Sequence, residues 1–304
     1  MLMIIVFNFG KRNSHQSSLK SNIPKSDIRK SLSYFYIRTM YSKTQLVFKY
    51  LKYFLAASNG KGHGIHSPFV FDFITKVLND ERDFYCYETI EALRDKLQYD
   101  NELVTIEDFG AGSRVEKTKQ RSVSTIAKSS LKPKKYSQLL FRMVNYYQPQ
   151  TILELGTSLG ITTAYLASGK TDAQVITMEG ASAVVTIARQ NFERLNLRNI
   201  QLTQGNFDET LAPVISHLST VNFSFIDGNH RKDPTLNYFH QLLTKTNNDS
   251  ILIFDDIHWS REMETAWAAI QSHPSVTLTI DLFFIGMVFF RKEQLKKQHF
   301  AIRF

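Results

Sequence analysis

The sequence predicts an α/β fold: a seven-stranded, mostly parallel sheet whose last strand is antiparallel, with helices on both faces and a helical N-terminal extension. Three observations predict it. After Pro149, short β-branched runs alternate with amphipathic segments, and that alternation specifies a parallel sheet covered by crossover helices. Two closing runs, Val276 to Leu282 and Gly286 to Arg291, stand too close together for a helical crossover and must pair as an antiparallel hairpin at the sheet edge. Finally, 304 residues with 43% apolar and 21% charged side chains suffice for a full core and exclude a mainly disordered or collagenous chain. The single cysteine, Cys86, excludes an internal disulfide framework and a zinc site built from several thiolates.

Residues 1–39 form a leader in which seven Lys or Arg oppose Asp27 alone, so it carries most of the formal net charge of +9. Its apolar start, Met1 to Phe7, is too short to span a bilayer and lacks the flanks of a secretory signal. The serines that follow predict a polar, disordered stretch; a transit peptide and an extension upstream of Met40 are both open readings. Residues 40–133 read as a mostly helical extension or cap. Gln45 to Ala57 spaces Val47, Phe48, Leu51, Phe54 and Leu55 helically between Lys49 and Lys52, a pattern that suits a membrane surface or packing on its own domain. Ser67-Pro68 supplies a cap and a first-turn proline for Phe69 to Leu78, and a further helix is expected at Thr89 to Leu97.

Residues 134–304 form the sheet domain. Strands are expected at Thr151 to Leu155, Val175 to Met178, Ile200 to Thr203, Val221 to Ile226 and Ser250 to Phe254, ahead of the closing hairpin. Helices are expected at Tyr136 to Tyr147, Ile161 to Ala167, Ala183 to Leu195, Pro234 to Leu243 and Arg261 to Ile270. Two basic clusters, Arg114 to Lys135 and Arg291 to Arg303, read as solvated faces or as contacts to an anionic substrate or RNA.

Ligands of an open α/β sheet bind at the carboxyl ends of its strands. The first strand ends in Glu154-Leu-Gly156-Thr157-Ser158-Leu-Gly160 and leads into a helix, so two glycines permit a tight turn and a close ligand beside free N–H groups. Ser158 stands where a dinucleotide fingerprint needs a second glycine, which disfavours a nicotinamide cofactor. Glu179 follows the second strand at the spacing of a ribose-binding acid. The third strand ends at Gly205-Asn206, placed to meet an adenine edge; the fourth ends at Asp227-Gly-Asn-His230 and the fifth at Asp255-Asp256. Any one of these polar residues could be a helix cap. Five on one rim point to a site.

With these residues the chain resembles the class I S-adenosylmethionine-dependent methyltransferases, which have a Rossmann-like sheet, over about residues 134 to 292. Within that group it is similar to the metal-dependent O-methyltransferases of the catechol, caffeoyl-coenzyme A and sugar-modifying type. The resemblance implies cofactor contacts from Glu154, Gly156, Thr157, Ser158, Gly160, Glu179, Asn206 and Asp227. It assigns magnesium to Asp227, Asp255 and Asp256, although the family's usual third ligand is Asn. It places His230 where the family has a catalytic lysine, with general base, substrate-orienting group and structural histidine all open for it. Asp227 shares the catalytic role. The expected reaction is methyl transfer to a hydroxyl of a small molecule, in a cytoplasmic enzyme without a membrane span; a homodimer is carried with no motif behind it. Two rivals stand: an RNA or other nucleic-acid methyltransferase using the 114–135 cluster, and a non-catalytic binding protein on the same fold. The Asp227 loop lacks the Asn/Asp-Pro-Pro-aromatic sequence of base N-methyltransferases, which counts against the first. Asp108-Phe-Gly110-Ala-Gly112-Ser113 mimics a glycine loop but is read as a turn or lid, Trp259 as acceptor-pocket wall or core, and the spacing of His63, His66 and His258 does not support a metal site.

Overall fold

The computed structural model describes residues 40–106 and 120–304. The leader, the Asp108 to Ser113 loop and the first part of the basic cluster lie outside the described residues. The central strands are β3 (Thr151–Leu155), β4 (Gln174–Glu179), β5 (Ile200–Gln204), β6 (Phe223–Ile226), β7 (Ile251–Asp255), β8 (Leu278–Asp281) and β9 (Ile285–Phe289). Strands β6, β7 and β9 are buried along their whole length, because helices cover both faces of the sheet and no alternation with polar residues is needed. Strand β9 runs antiparallel between β7 and β8, as the short connection demands.

An eighth strand, β10 (Gln298–Ala301), adds to the free edge of β8 in parallel, giving the order β10-β8-β9-β7-β6-β3-β4-β5. The hairpin is therefore not the edge. Four residues inside a basic tail carry no period-2 signal, so β10 was not expected from sequence. Neither was the small antiparallel pair β1 (Leu103–Thr105) and β2 (Gln120–Ser122).

The segment from Met40 onward is one unit. Ser67 caps the helix Pro68–Phe73 with proline at the first turn, and the chain continues as a π-helical turn, Ile74–Leu78. Val70, Phe73, Ile74 and Val77 share a core with Leu139, Leu140 and Met143 of the helix Lys134–Tyr147 and with Phe223, Ile253 and Met287 of the sheet. A second core on the opposite face joins Leu153, Ile226 and Phe254 to Tyr238, Leu242 and Trp267.

The helix Lys43–Ala56 starts with a capping box between Ser42 and Gln45 and buries none of its residues fully. It is tied on by polar contacts and rings: Lys49 to Glu264 at 2.8 Å, Tyr53 Oη donating to the carbonyls of Asp281 and Ile302, and Tyr50 edge-on to Phe283 at 5.1 Å. His258 completes this clasp, 2.7 Å from Asp281 Oδ2 and 3.2 Å from Glu264 Oε1, stacked on Phe283. Among the described residues no helix is long and apolar enough to cross a membrane.

Candidate active site

The loop after β3 is shaped by its glycines. Gly156 has φ +106°, and a Cβ there would be driven into the Asp227 carbonyl oxygen; Gly160, at φ +84°, opens the helix Ile161–Gly169 against the Phe192 ring. The loop is pinned by the amides of Gly156 and Thr157, which both donate to Met178 O at 3.0 and 3.1 Å. Gly156→Ala is expected to cost about 2 kcal/mol or more, read as a lower Tm; a variant as stable as wild type would mean the loop yields freely.

Glu154 does not open into the loop. It is fully buried, its Oε2 accepting from Thr163 and Thr177, the latter at 2.6 Å and itself 2.6 Å from Thr157 Oγ1, while its Oε1 has no partner. Burial pushes its carboxyl up to about 8, although the two hydroxyl donors oppose this. A carboxyl raised by folding gives stability that is full below its ordinary value of 4.5 and is lost as pH rises toward 8. Glu154→Gln should flatten that loss in Tm measured from pH 5 to 9 on cofactor-free protein; an unchanged slope would place the titration elsewhere.

Glu179 ends β4 with its Oε2 accepting from the Ser158 amide and its Oε1 from the Ala181 amide, both at 3.0 Å. Each oxygen keeps a second lone pair for a diol. Ser158, at φ +48°, meets Ser130 Oγ at 2.7 Å. Asn206 caps the helix Phe207–Ser216, its Oδ1 accepting from Asp208 N at 3.1 Å.

Beyond β6 and β7, Asp227, His230 and Asp255 bring one ligand atom each to within 4.8 Å of one another. His230 Nε2 lies 3.4 Å from Asp227 Oδ1. Asp256 stands outside this group; its φ is +53° and its amide donates to Phe284 O at 2.7 Å, although its charge is felt by the cluster.

The sequence reading missed the central residue. Lys132, 10% exposed, bonds Asp255 Oδ2 and stands 3.8 Å from Asp227 Oδ2, so its ammonium lies between the two carboxylates. It was legible only as one charge in a basic run, because Asp255 lies 123 residues away in sequence. Burial alone would push Lys132 down, but the charges of Asp227, Asp255 and Asp256 outweigh it and hold the ammonium protonated. Against its own burial, Asp227 is held below the carboxylate range by Lys132 and His230. Burial and the Asp227 charge push Asp255 well up. His230 is lifted to about 9: its burial is overcome by the hydrogen bond to Asp227 and the charge of Asp256.

The donor set fits a divalent cation. Two carboxylates and an imidazole converge, and Asp255 Oδ1 is buried without a partner. Lys132 holds oxygens of the same two carboxylates, so ammonium and metal compete for them.

Residues 153–257 match the family described as "Methyltransferase domain". The release factor glutamine methyltransferases of Escherichia coli (strain K12) and Shigella flexneri are each 32% identical over 89 residues, 29% of this chain. The chain spans about a third (31%) of the length of those curated relatives. Among solved structures, an O-methyltransferase from Bacillus cereus in complex with SAH superposes with a TM-score of 0.50 at 19% identity, covering 69% of this chain and 93% of that one. Cofactor-bound Rv0187 from MTB superposes with a TM-score of 0.50 at 16% identity, covering 73% and 95%. The matched residues contain the glycine loop, Glu179, Asp227 and Asp255 described above; residues 153–257 thus match a methyltransferase-domain family, and the fold is the Rossmann-like one of the superposed O-methyltransferase structure.

Proposed function

We propose that the chain transfers a methyl group from S-adenosylmethionine to a hydroxyl of a small molecule, with divalent-metal assistance. The observation that carries this reading is the approach of Gly156 to the Asp227 carbonyl oxygen, which sets a cofactor-type loop directly against the acid cluster. A methyl donor held by the loop and Glu179 would then lie beside the groups that handle the acceptor's proton. Loss of the sulfonium charge makes alignment the main task, and positioning can supply on the order of 7 to 11 kcal/mol.

Asp227 and Asp255 would hold the cation with substrate oxygens and waters, and when bound it lowers the pKa of an acceptor hydroxyl. Lys132 balances the two carboxylates when the metal is away. Against its burial, His230 is lifted by its hydrogen bond to Asp227 and the charge of Asp256, and it would take the hydroxyl proton only in its neutral form. In this reading Asp227 orients His230 through the 3.4 Å contact.

Thermal unfolding with S-adenosylmethionine or S-adenosylhomocysteine, with and without magnesium, tests the cofactor. At 100 times Kd, binding should stabilise the fold by about 2.7 kcal/mol. No shift with either compound would refute the reading. Turnover that survives a chelator would remove the metal and leave the proton to His230 in its neutral form.

A further inference from the structure

A cavity of about 730 Å3 lies between the N-terminal helices, the start of the helix Lys134–Tyr147 and the chain's last residues. Its lining excludes the Asp227 cluster but includes Lys134, two residues after Lys132. Tyr136 connects the two places: its ring meets Phe304 of the cavity wall at 5.3 Å, and its phenol feels the charges of Lys132 and Asp255.

Six cationic residues line the cavity against three acidic ones. Asp80 gives both oxygens to Arg82, at 2.9 and 2.7 Å, so that pair is already neutral. Arg142 is buried, 8% exposed, donating to the carbonyls of Val77 and Leu78, with the Tyr87 side chain and the Asp80 charge also acting on it; among the described residues no carboxylate lies within ion-pair distance of it. A buried guanidinium without a directly paired carboxylate is costly. Lys135 is crowded by the same charge: burial and Arg142 both push its pKa down, and its ammonium rests on the Phe304 ring at 3.9 Å. The helix these lysines open has no side-chain cap at Pro133, so its first amides add to the positive field. Phe54, Tyr87 and Phe304 give the cavity aromatic walls.

We propose that this cavity is the acceptor subsite, taking a phosphate or carboxylate group of the small molecule whose hydroxyl is methylated and binding it through Lys134, Lys135 and Arg142. The inference rests on the function proposed above and adds the substrate class, an aromatic or similarly flat molecule carrying an oxyanion. The volume lies within the range of small-molecule sites, roughly 300–1,000 Å3. An anion there would give Arg142 a directly paired charge in place of the more distant Asp80.

The test is calorimetric titration of the full chain with phenyl phosphate, with benzoate and, as a neutral control, with benzyl alcohol. At least one anion should bind saturably, more weakly as salt is raised, while benzyl alcohol should not. In Lys134→Ala/Lys135→Ala, two exposed positions, that affinity should fall about tenfold or more while S-adenosylmethionine affinity stays unchanged. Arg142→Met should weaken the anion further; if it unfolds, the lysine pair still decides. Two silent anions, or binding indifferent to the double substitution, would overturn the subsite. Tighter binding of a single-stranded oligoribonucleotide than of phenyl phosphate, with a steep salt dependence, would overturn its commitment to a small molecule. If S-adenosylmethionine fails to bind wild type while phenyl phosphate binds, the methyltransferase reading falls and the oxyanion site stands.

Discussion

Lys132→Met is expected to abolish methyl transfer and to destabilise the fold by about 3 to 5 kcal/mol at neutral pH, since it leaves two carboxylates facing each other without their cation. The ammonium bonds Asp255 Oδ2, and the other oxygen of that carboxylate has no hydrogen-bond partner among the described residues. Three readouts separate this from a general packing loss. Adding Asp255→Asn to Lys132→Met removes one of the opposed charges and should recover part of the stability, as a double-mutant cycle measures. Magnesium should restore part of the Tm of the single variant, because the competing cation has gone while Asp227 and Asp255 remain. Protonation should also help, so the single variant should lose less stability relative to wild type as the solution is acidified and the freed carboxyls take up protons. A Lys132→Met protein with wild-type Tm and turnover would show that the ammonium plays no part in the cluster.

Glu179→Ala is the second large effect: S-adenosylmethionine affinity should fall by about 100-fold or more. The carboxylate would lose two charge-assisted hydrogen bonds to the ribose, each worth roughly 1.5–3 kcal/mol. It would also release the amides of Ser158 and Ala181, which shape the cofactor loop from the other side. Glu179→Gln keeps one acceptor oxygen and should bind with intermediate affinity. Calorimetry on the two variants checks the order; equal affinity in wild type and Glu179→Ala would remove the cofactor from this rim.

What was legible in the sequence was whatever local pattern specifies. The central strands announce themselves because β6 and β7 are nearly all apolar up to their ends, Ser224 being the exception, and the polar groups at those ends, Asp227 and Asp255, need only the alternation of strand and helix to be placed on one rim. The companionship of Asp227, His230 and Asp255 follows from β6 and β7 being neighbours. Three other features depend on contacts that no window of sequence contains. Lys132 looks like its solvated neighbours until the fold carries it to Asp255. Glu154 is a cofactor contact by resemblance, yet its side chain turns into the layer occupied by Thr163 and Thr177. Arg142 sits in a helical stretch where a charge normally marks the wet face, and it is instead largely buried against the carbonyls of Val77 and Leu78 at the cavity wall.

The stitching of the two ends of the described chain bears on the order in which the protein is assembled. Ser58 N donates to Ala301 O and Arg303 N returns to Ser58 O, at 2.8 and 3.1 Å, while Tyr53 closes on Ile302. The helix Lys43–Ala56 buries nothing completely by itself, so its anchors are the hairpin and tail made more than 200 residues later. Contacts of such sequence separation form late, because the loop they close must be ordered first. During synthesis this helix is therefore expected to leave the ribosome among the earliest parts of the fold and to dock among the last, with Tyr50 and Tyr53 lacking their partners in the interval, while Val47, Phe48, Leu51 and Leu55 stay exposed even after docking.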